Sequence, residues 1–399
     1  MHHETGSARS TEALVTRRAN SPSDDGEGLI ELIRASVIGD DEAFVGPFGI
    51  RRVTYADYTA SARSLTFIED YIREQVMPLY ANTHTESSGT GLQTTRFRED
   101  ARDIIRDAVG ASRDEYAVIF CGSGSTGAVD KLVGILNLRL PADLERRYRL
   151  RRHIPAGELP VVFIGPYEHH SNELPWRESI ADVVTIREDR DGHIDLAHLA
   201  AELARFDGRR SLIGSFSAAS NVTGIHSDTR AISVLLHRHG ALALWDYAAA
   251  APYLEMNMRP RRPAPDGDVA DAQLDYKDAV FISPHKLIGG PGTPGLLVVR
   301  RSLLTNSVPD VPGGGTVAYV NALEHVYLDD PEHREEGGTP AIIESIRAGL
   351  VFQLKEEVGA ETIRRKEESF IDRALAAWTA VPGLEILGDL RARRLSIVS

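Results

Sequence analysis

Apolar positions recur along this chain in two rhythms, separated by Gly, Pro and polar clusters. Up to about residue 110 the 3.6-residue period of amphipathic helices dominates. "LIELIRASVI", "SLTFIEDYIREQVMPLY" and "TRFREDARDIIRDAVG" read as helices, the last closed by Gly110 as its C-cap. "GIRRVTYADY" at 49–58 reads as a short strand leaving a loop. Beyond about residue 116, unbroken apolar runs alternate with helix-period segments. "YAVIFCG", "LPVVFIGP", "ADVVTIRED", "RSLIGSFSAAS", "ALALWDYAAAAPY", "DAVFISPHK" and "GLLVVRR" read as strands. "AVDKLVGILNL", "DLAHLAAELARF" and "TRAISVLLHRHG" read as helices between them. Strands apolar at every position are buried on both faces, and the alternation predicts an α/β fold with a mostly parallel sheet between helices. From about 341 one long helix is predicted, followed by "LEILG" and "RRLSIVS" as strands, the latter with nothing later to cover its edge.

Composition narrows this picture. The 399 residues, 42% of them hydrophobic, suffice for about two domains. The polar segment 1–27 reads as a disordered tail. The expected division is a large domain over 28–335 and a partial small domain over 336–399. A formal net charge of −13 argues against nucleic acid or an anionic membrane as partner. No transmembrane run or secretory leader is legible, and a single cysteine, Cys121, fits a reducing, cytoplasmic setting.

In such sheets ligands bind beyond the carboxyl ends of the strands, so the residues there carry the chemistry. After the first strand comes "CGSGSTGAVD". Gly122, Gly124 and Gly127 match G-x-G-x-x-G, which raises an NAD(P)-dependent oxidoreductase. The loop nonetheless follows more than a hundred residues, and the next clear strand, whose end should carry an acidic residue about 20 positions on, ends only near 165. What survives is a Gly/Ser/Thr turn opening a helix, suited to a phosphate or to plain capping. His169 and His170 follow the next strand; adjacent histidines point apart, so stacking on a ligand suits them better than a metal does. Asn221 follows a later strand and suits an ordinary turn equally well. Asp246 ends a buried strand, where a carboxylate needs a positive partner or caps the alanines behind it. Lys286 stands between an apolar run and the Gly/Pro cluster of "SPHKLIGGPGTPG". A desolvated lysine is a nucleophile prepared for Schiff-base chemistry, whereas a snorkelling lysine is merely structural. Phosphate turn, imidazole, amide, carboxylate and lysine together fit pyridoxal phosphate.

These segments resemble, in order and over roughly 49–399, the class V aminotransferases of the cysteine-desulfurase-like group. "DYTAS", "YANTH", "GSGSTGAVD", "YEHHSN", "ASNVTG", "LWDYAAAAP", "SPHKLIGGPGTPG" and "EEGGTP" carry the resemblance. It implies the type I fold of pyridoxal-phosphate transferases, with a seven-stranded sheet and a smaller α+β domain incomplete at the C-terminal end. It makes Lys286 the Schiff-base lysine, His169 the ring-stacking residue and Asp246 the partner of the ring nitrogen. Ser125, Thr126, Ser283 and His285 would bind the phosphate. Asn221 would lie by the phenolic oxygen or the substrate, and His84 by the substrate. Gly338 and Thr339 would reach the cofactor of a second subunit, so a homodimer acting on an amino acid as small-molecule substrate is implied. Three departures stand out. Ala249 replaces the glutamine usual three residues past the aspartate. "RPRRPAPDGDVADAQ" reads as an added surface loop. The substrate-binding arginine and any desulfurase cysteine are expected beyond Ser399, in the part of the family's small domain still to follow; Cys121, ending a core strand, reads as a buried structural thiol and not as that cysteine. A non-catalytic pyridoxal-phosphate-binding paralogue is the remaining alternative.

Overall fold

The computed structural model describes residues 25–83, 87–260 and 269–399. The tail expected over 1–27 lies outside these, apart from the last three residues, which open a helix at Asp25–Ala35. Most of the expected surface loop and His84 also lie outside them.

Seven strands form the central sheet: β1 (Tyr116–Cys121), β2 (Val161–Ile164), β3 (Asp182–Thr185), β4 (Leu212–Ser217), β5 (Leu242–Asp246), β6 (Ala279–Ile282) and β7 (Gly295–Arg300). Their spatial order is β1-β7-β6-β5-β4-β2-β3, and all neighbours are parallel except those of β7. The pleat sends alternate residues to opposite faces, and both faces are buried. Val118, Phe120, Val161, Phe163, Trp245, Val280 and Val298 enter one core layer; Ile119, Val162, Ile164, Leu244, Phe281, Leu297 and Val299 enter the other. The second layer is completed by α2 (Gly124–Ile135), through Val129, Leu132 and Val133. The first is completed by α1 (Gly89–Ala108), α3 (Leu196–Arg205), α4 (Thr229–Arg238) and α5 (Ile342–Val358), through Ile105, Leu203, Leu236 and Leu350.

Strand β1 is an edge strand, and unpaired edge amides invite foreign strands. Here two carboxylates cover them. The Val118 N–H donates to Glu332 Oε1 at 2.6 Å and the Phe120 N–H to Glu336 Oε1 at 2.7 Å. Arg98 and Arg102 hold Glu336, and Arg106 and Arg301 hold Glu332. The "EEGGTP" segment is thereby clamped onto the sheet edge.

Several predicted elements change on inspection. The strand predicted over "ALALWDYAAAAPY" stops at Asp246, whose Oδ1 accepts the Ala248 N–H at 2.8 Å and turns the chain out of the ladder. "SLTFIEDYIREQVMPLY" forms an α-helical turn, a π turn at Ile72–Val76 and a 3₁₀ turn. The long helix is two, α5 and α6 (Ala360–Trp378), parted by Gly359 at φ 81°. "LEILG" and "RRLSIVS" form no ladder. A single bridge joins Ile225 to Arg394, the Leu395 N–H donates to the Gly224 carbonyl at 2.8 Å, and Leu395 and Ile397 are buried. The apolar residues of that segment pack under the loop after β4 and leave no bare edge. Among the described residues no helix is long and apolar enough to cross a membrane.

Candidate active site

A cavity of about 1140 Å³ opens at the carboxyl ends of β1, β2, β4, β5 and β6. Its wall contains Ser125, Thr126, His169, Asn221, Asp246, Ser283, His285 and Lys286, brought together from positions more than 160 residues apart in the chain. Gly338 and Thr339 are exposed and do not line it. Thr339 instead accepts a long 3.5 Å hydrogen bond from Asn82 Nδ2.

The turn after β1 is built for close approach. Gly124 has φ 53°, a left-handed conformation costly to residues with a Cβ. A Cβ on Gly295 would stand 1.9 Å from the Gly124 carbonyl oxygen. The Ser125 N–H donates to Ser283 Oγ at 2.8 Å, so the turn and the lysine loop are one unit. Residues Pro284–Lys286 make a 3₁₀ turn, and the Lys286 N–H returns to the Ser283 carbonyl at 3.0 Å. The N-terminal segment braces this loop from outside. The Ala62 N–H donates to the His285 carbonyl at 2.9 Å and the Gly289 N–H to that of Arg63 at 2.8 Å. It also places Asp57, Thr59, Ala60 and Ser61 on the cavity wall.

Burial tunes the ionisable groups toward neutrality. Desolvation pushes Asp246 up to about 6, against the pull of the Ala248 N–H and of Lys286. Among the described residues its carboxylate accepts one hydrogen bond, from that N–H, and no side-chain donor reaches it. Desolvation likewise lowers Lys286, with Asp246 and Asp57 opposing. His169 and His285 are lowered by desolvation and by Lys286. Lys286 and Asp246 therefore line one cavity, and burial disfavours the charged form of each. Cys121 is buried and its thiol is pushed up to about 12, as befits a structural thiol.

Residue reasoning missed part of the wall and a buried carboxyl that supports it from behind. Glu168 is pushed up to about 7 by burial. It accepts the Ser217 N–H at 2.9 Å, the Ser217 hydroxyl at 2.6 Å and Asn172 Nδ2 at 2.7 Å. Asn172 in turn accepts from the Ser215 hydroxyl at 2.6 Å, so the "YEHHSN" loop is pinned to the end of β4. An acidic residue immediately after an apolar strand was the available signal. Phe370, Ile371 and Trp378 of α6 form an apolar side of the cavity that no motif announced.

Comparison with known proteins agrees with this geometry. A probable cysteine desulfurase of Halalkalibacterium halodurans is 26% identical over 344 residues, covering 84% of this chain and 75% of that one. One from Streptomyces coelicolor is 25% identical over 346 residues, covering 86% and 75%. Among solved structures, the apo cysteine desulfurase of Thermococcus onnurineus NA1 superposes with a TM-score of 0.71 at 22% identity, covering 92% of this chain and 81% of that one. The cysteine desulfurase CsdA of Escherichia coli gives a TM-score of 0.62 at 20% identity, covering 85% and 76%. The aminotransferase class-V family model matches residues 54–399. The chain therefore belongs to the class-V aminotransferase family and is cysteine-desulfurase-like in sequence and fold.

Proposed function

We propose that this chain is a pyridoxal-phosphate-dependent transferase or lyase that acts on an amino acid, with cysteine desulfuration or a related C–S or C–N step as its reaction. The observation that carries the proposal is the buried Asp246 carboxylate, without a side-chain partner, across one cavity from a desolvated Lys286. A protonated pyridine nitrogen is the kind of partner that such a carboxylate lacks. The Gly122–Thr126 turn at the start of α2 suits a phosphate, and His169 lines the same space.

When bound, pyridoxal phosphate would supply an electron sink for charge developing at the substrate's α-carbon. Lys286 provides the amine that anchors the cofactor and then the base that moves the α-proton. Asp246 keeps the ring nitrogen protonated through a charge-assisted hydrogen bond. Ser125, Thr126, Ser283 and His285 would hold the phosphate, His169 would stack on the ring, and Asn221 would orient the phenolic oxygen or substrate. Ala249, in the cavity wall, offers no side-chain donor where a glutamine would. If the substrate is cysteine, its sulfur leaves to a thiol other than the buried Cys121. Gly338 and Thr339, exposed and outside their own chain's cavity, support a homodimer in which they serve the partner's site.

The nicotinamide reading finds no comparable support, because Gly122–Gly127 follows an edge strand whose neighbour is antiparallel. The discriminating assay incubates the protein with pyridoxal phosphate and a panel of amino acids, reading sulfide, ammonia and keto-acid release. Product from an amino acid that requires pyridoxal phosphate is expected. Turnover that requires NAD(P) instead would contradict the proposal.

A further inference from the structure

Between the phosphate turn and the His169 ring stands Ser171, which the proposed chemistry leaves without a role. Its N–H donates to His169 Nδ1 at 3.1 Å. Its Oγ lies 3.0 Å from the same nitrogen and 2.6 Å from Thr126 Oγ1. A main-chain N–H can only donate, so Nδ1 is an acceptor and the ring proton of neutral His169 resides on Nε2. Protonation of Nδ1 would set two N–H groups against each other. This adds to desolvation and the nearby Lys286 in keeping the ring neutral.

The hydroxyl has a second use. Among the described residues Ser171 is the one hydrogen-bond partner of the Thr126 side chain, and Thr126 stands in the first turn of α2 at the phosphate turn. With Thr126 free to donate toward Ser171, the Ser171 O–H is free to point at Nδ1. Once Thr126 donates to a phosphate oxygen, its own oxygen becomes an acceptor and draws the Ser171 O–H away. The imidazole then keeps only the main-chain donor.

We propose that Ser171 is a positioning residue that couples the phosphate turn to the His169 imidazole: its N–H fixes the Nε2–H tautomer, and its hydroxyl changes allegiance when an anion engages Thr126. The proposal rests on reading Gly122–Thr126 as a phosphate turn, but its test needs no catalysis. The full chain, stripped of cofactor and labelled with nitrogen-15 at histidine, is titrated with inorganic phosphate. The chain has 14 histidines, so His169→Gln identifies the resonances of interest. His169 is expected as the Nε2–H tautomer, and phosphate should shift its Nδ1 resonance toward that of a nitrogen with fewer donors. Ser171→Ala should lose this shift while binding phosphate with unchanged affinity by calorimetry, and Ser171→Thr should restore it. An Nδ1–H tautomer, no phosphate-dependent shift in the wild type, or an undiminished shift in Ser171→Ala would each overturn the coupling. The full response together with no pyridoxyl adduct on Lys286 would support the coupling and defeat the proposed function.

Discussion

Two sets of buried ionisable groups in this molecule behave in opposite ways. At the sheet edge, Glu336 meets Arg98 and Arg102, with side chains 3%, 3% and 1% exposed. Burial alone would raise the Glu336 carboxyl, but the two guanidiniums and the Phe120 N–H overcome it and hold it at about 2. Glu332 is shared by Arg106, Arg301 and the Val118 N–H. Every charge there has its partner inside the chain. At the strand ends, Asp246 is no less buried yet has no side-chain partner, and desolvation wins, lifting it to about 6. The first set is spent on structure. The second, under the proposed function, is where a cofactor's ring nitrogen would supply the missing partner. Glu336, perturbed with internal counter-charges, belongs to a clamp; Asp246, perturbed without them, lines the cavity.

The comparison can be broken at either end. The largest effect is expected for Asp246→Asn on catalysis. Turnover should fall by about 10²–10³-fold, the scale of losing one preorganised charge in a transition state, with cofactor attachment at Lys286 retained. Steady-state kinetics beside cofactor content checks this; near-normal turnover would make Asp246 a simple turn residue.

Glu336→Ala should act on stability instead. It leaves Arg98 and Arg102 buried without a counter-charge and bares the Phe120 N–H, a loss of about 3–5 kcal/mol measurable by urea unfolding. The sign reverses for Asp246→Asn in the cofactor-free protein. A carboxyl whose folded pKa is raised retains a proton that the unfolded chain has released. Stability therefore falls as pH rises from about 4 to about 6 and stays reduced above. Removing that charge should stabilise the cofactor-free protein at pH 8 by on the order of 3 kcal/mol and flatten this part of its pH dependence. A destabilised Asp246→Asn would show that the carboxylate is paired after all.

How much of this was legible beforehand follows the range of the interactions. Seven apolar runs alternating with helices announced the parallel sheet, because burial on both faces is written locally in each strand. The strand-end rule picked the Gly/Ser/Thr turn, His169, Asn221, Asp246 and Lys286, and the resemblance added Ser283 and His285; the fold brings these residues to one cavity. The clamp was not legible. Glu336 and Arg102 are 234 positions apart, and nothing local distinguishes a buried arginine from a surface one on a helix of mixed polarity. Glu168 stood in a quoted motif without a role, since only the fold shows Ser217 and Asn172 converging on it. The strand predicted at "RRLSIVS" failed for the same reason. Its apolar positions are real, but they are buried by a loop and not by a ladder.

The smallest expected effect concerns the turn. In Gly124→Ala the new Cβ would meet Ser283 Oγ at 2.9 Å in a left-handed backbone. A stability loss of about 1–2 kcal/mol is expected, together with weaker phosphate binding by calorimetry. An unchanged phosphate affinity would detach the turn from the site.

The central claim is that Lys286 is the amine that holds pyridoxal phosphate. The direct measurement is borohydride reduction of the protein incubated with pyridoxal phosphate, followed by peptide mass spectrometry. A pyridoxyl adduct on the Lys286 peptide, absent in Lys286→Ala, is the predicted result. No adduct, or an adduct confined to another lysine, would contradict it.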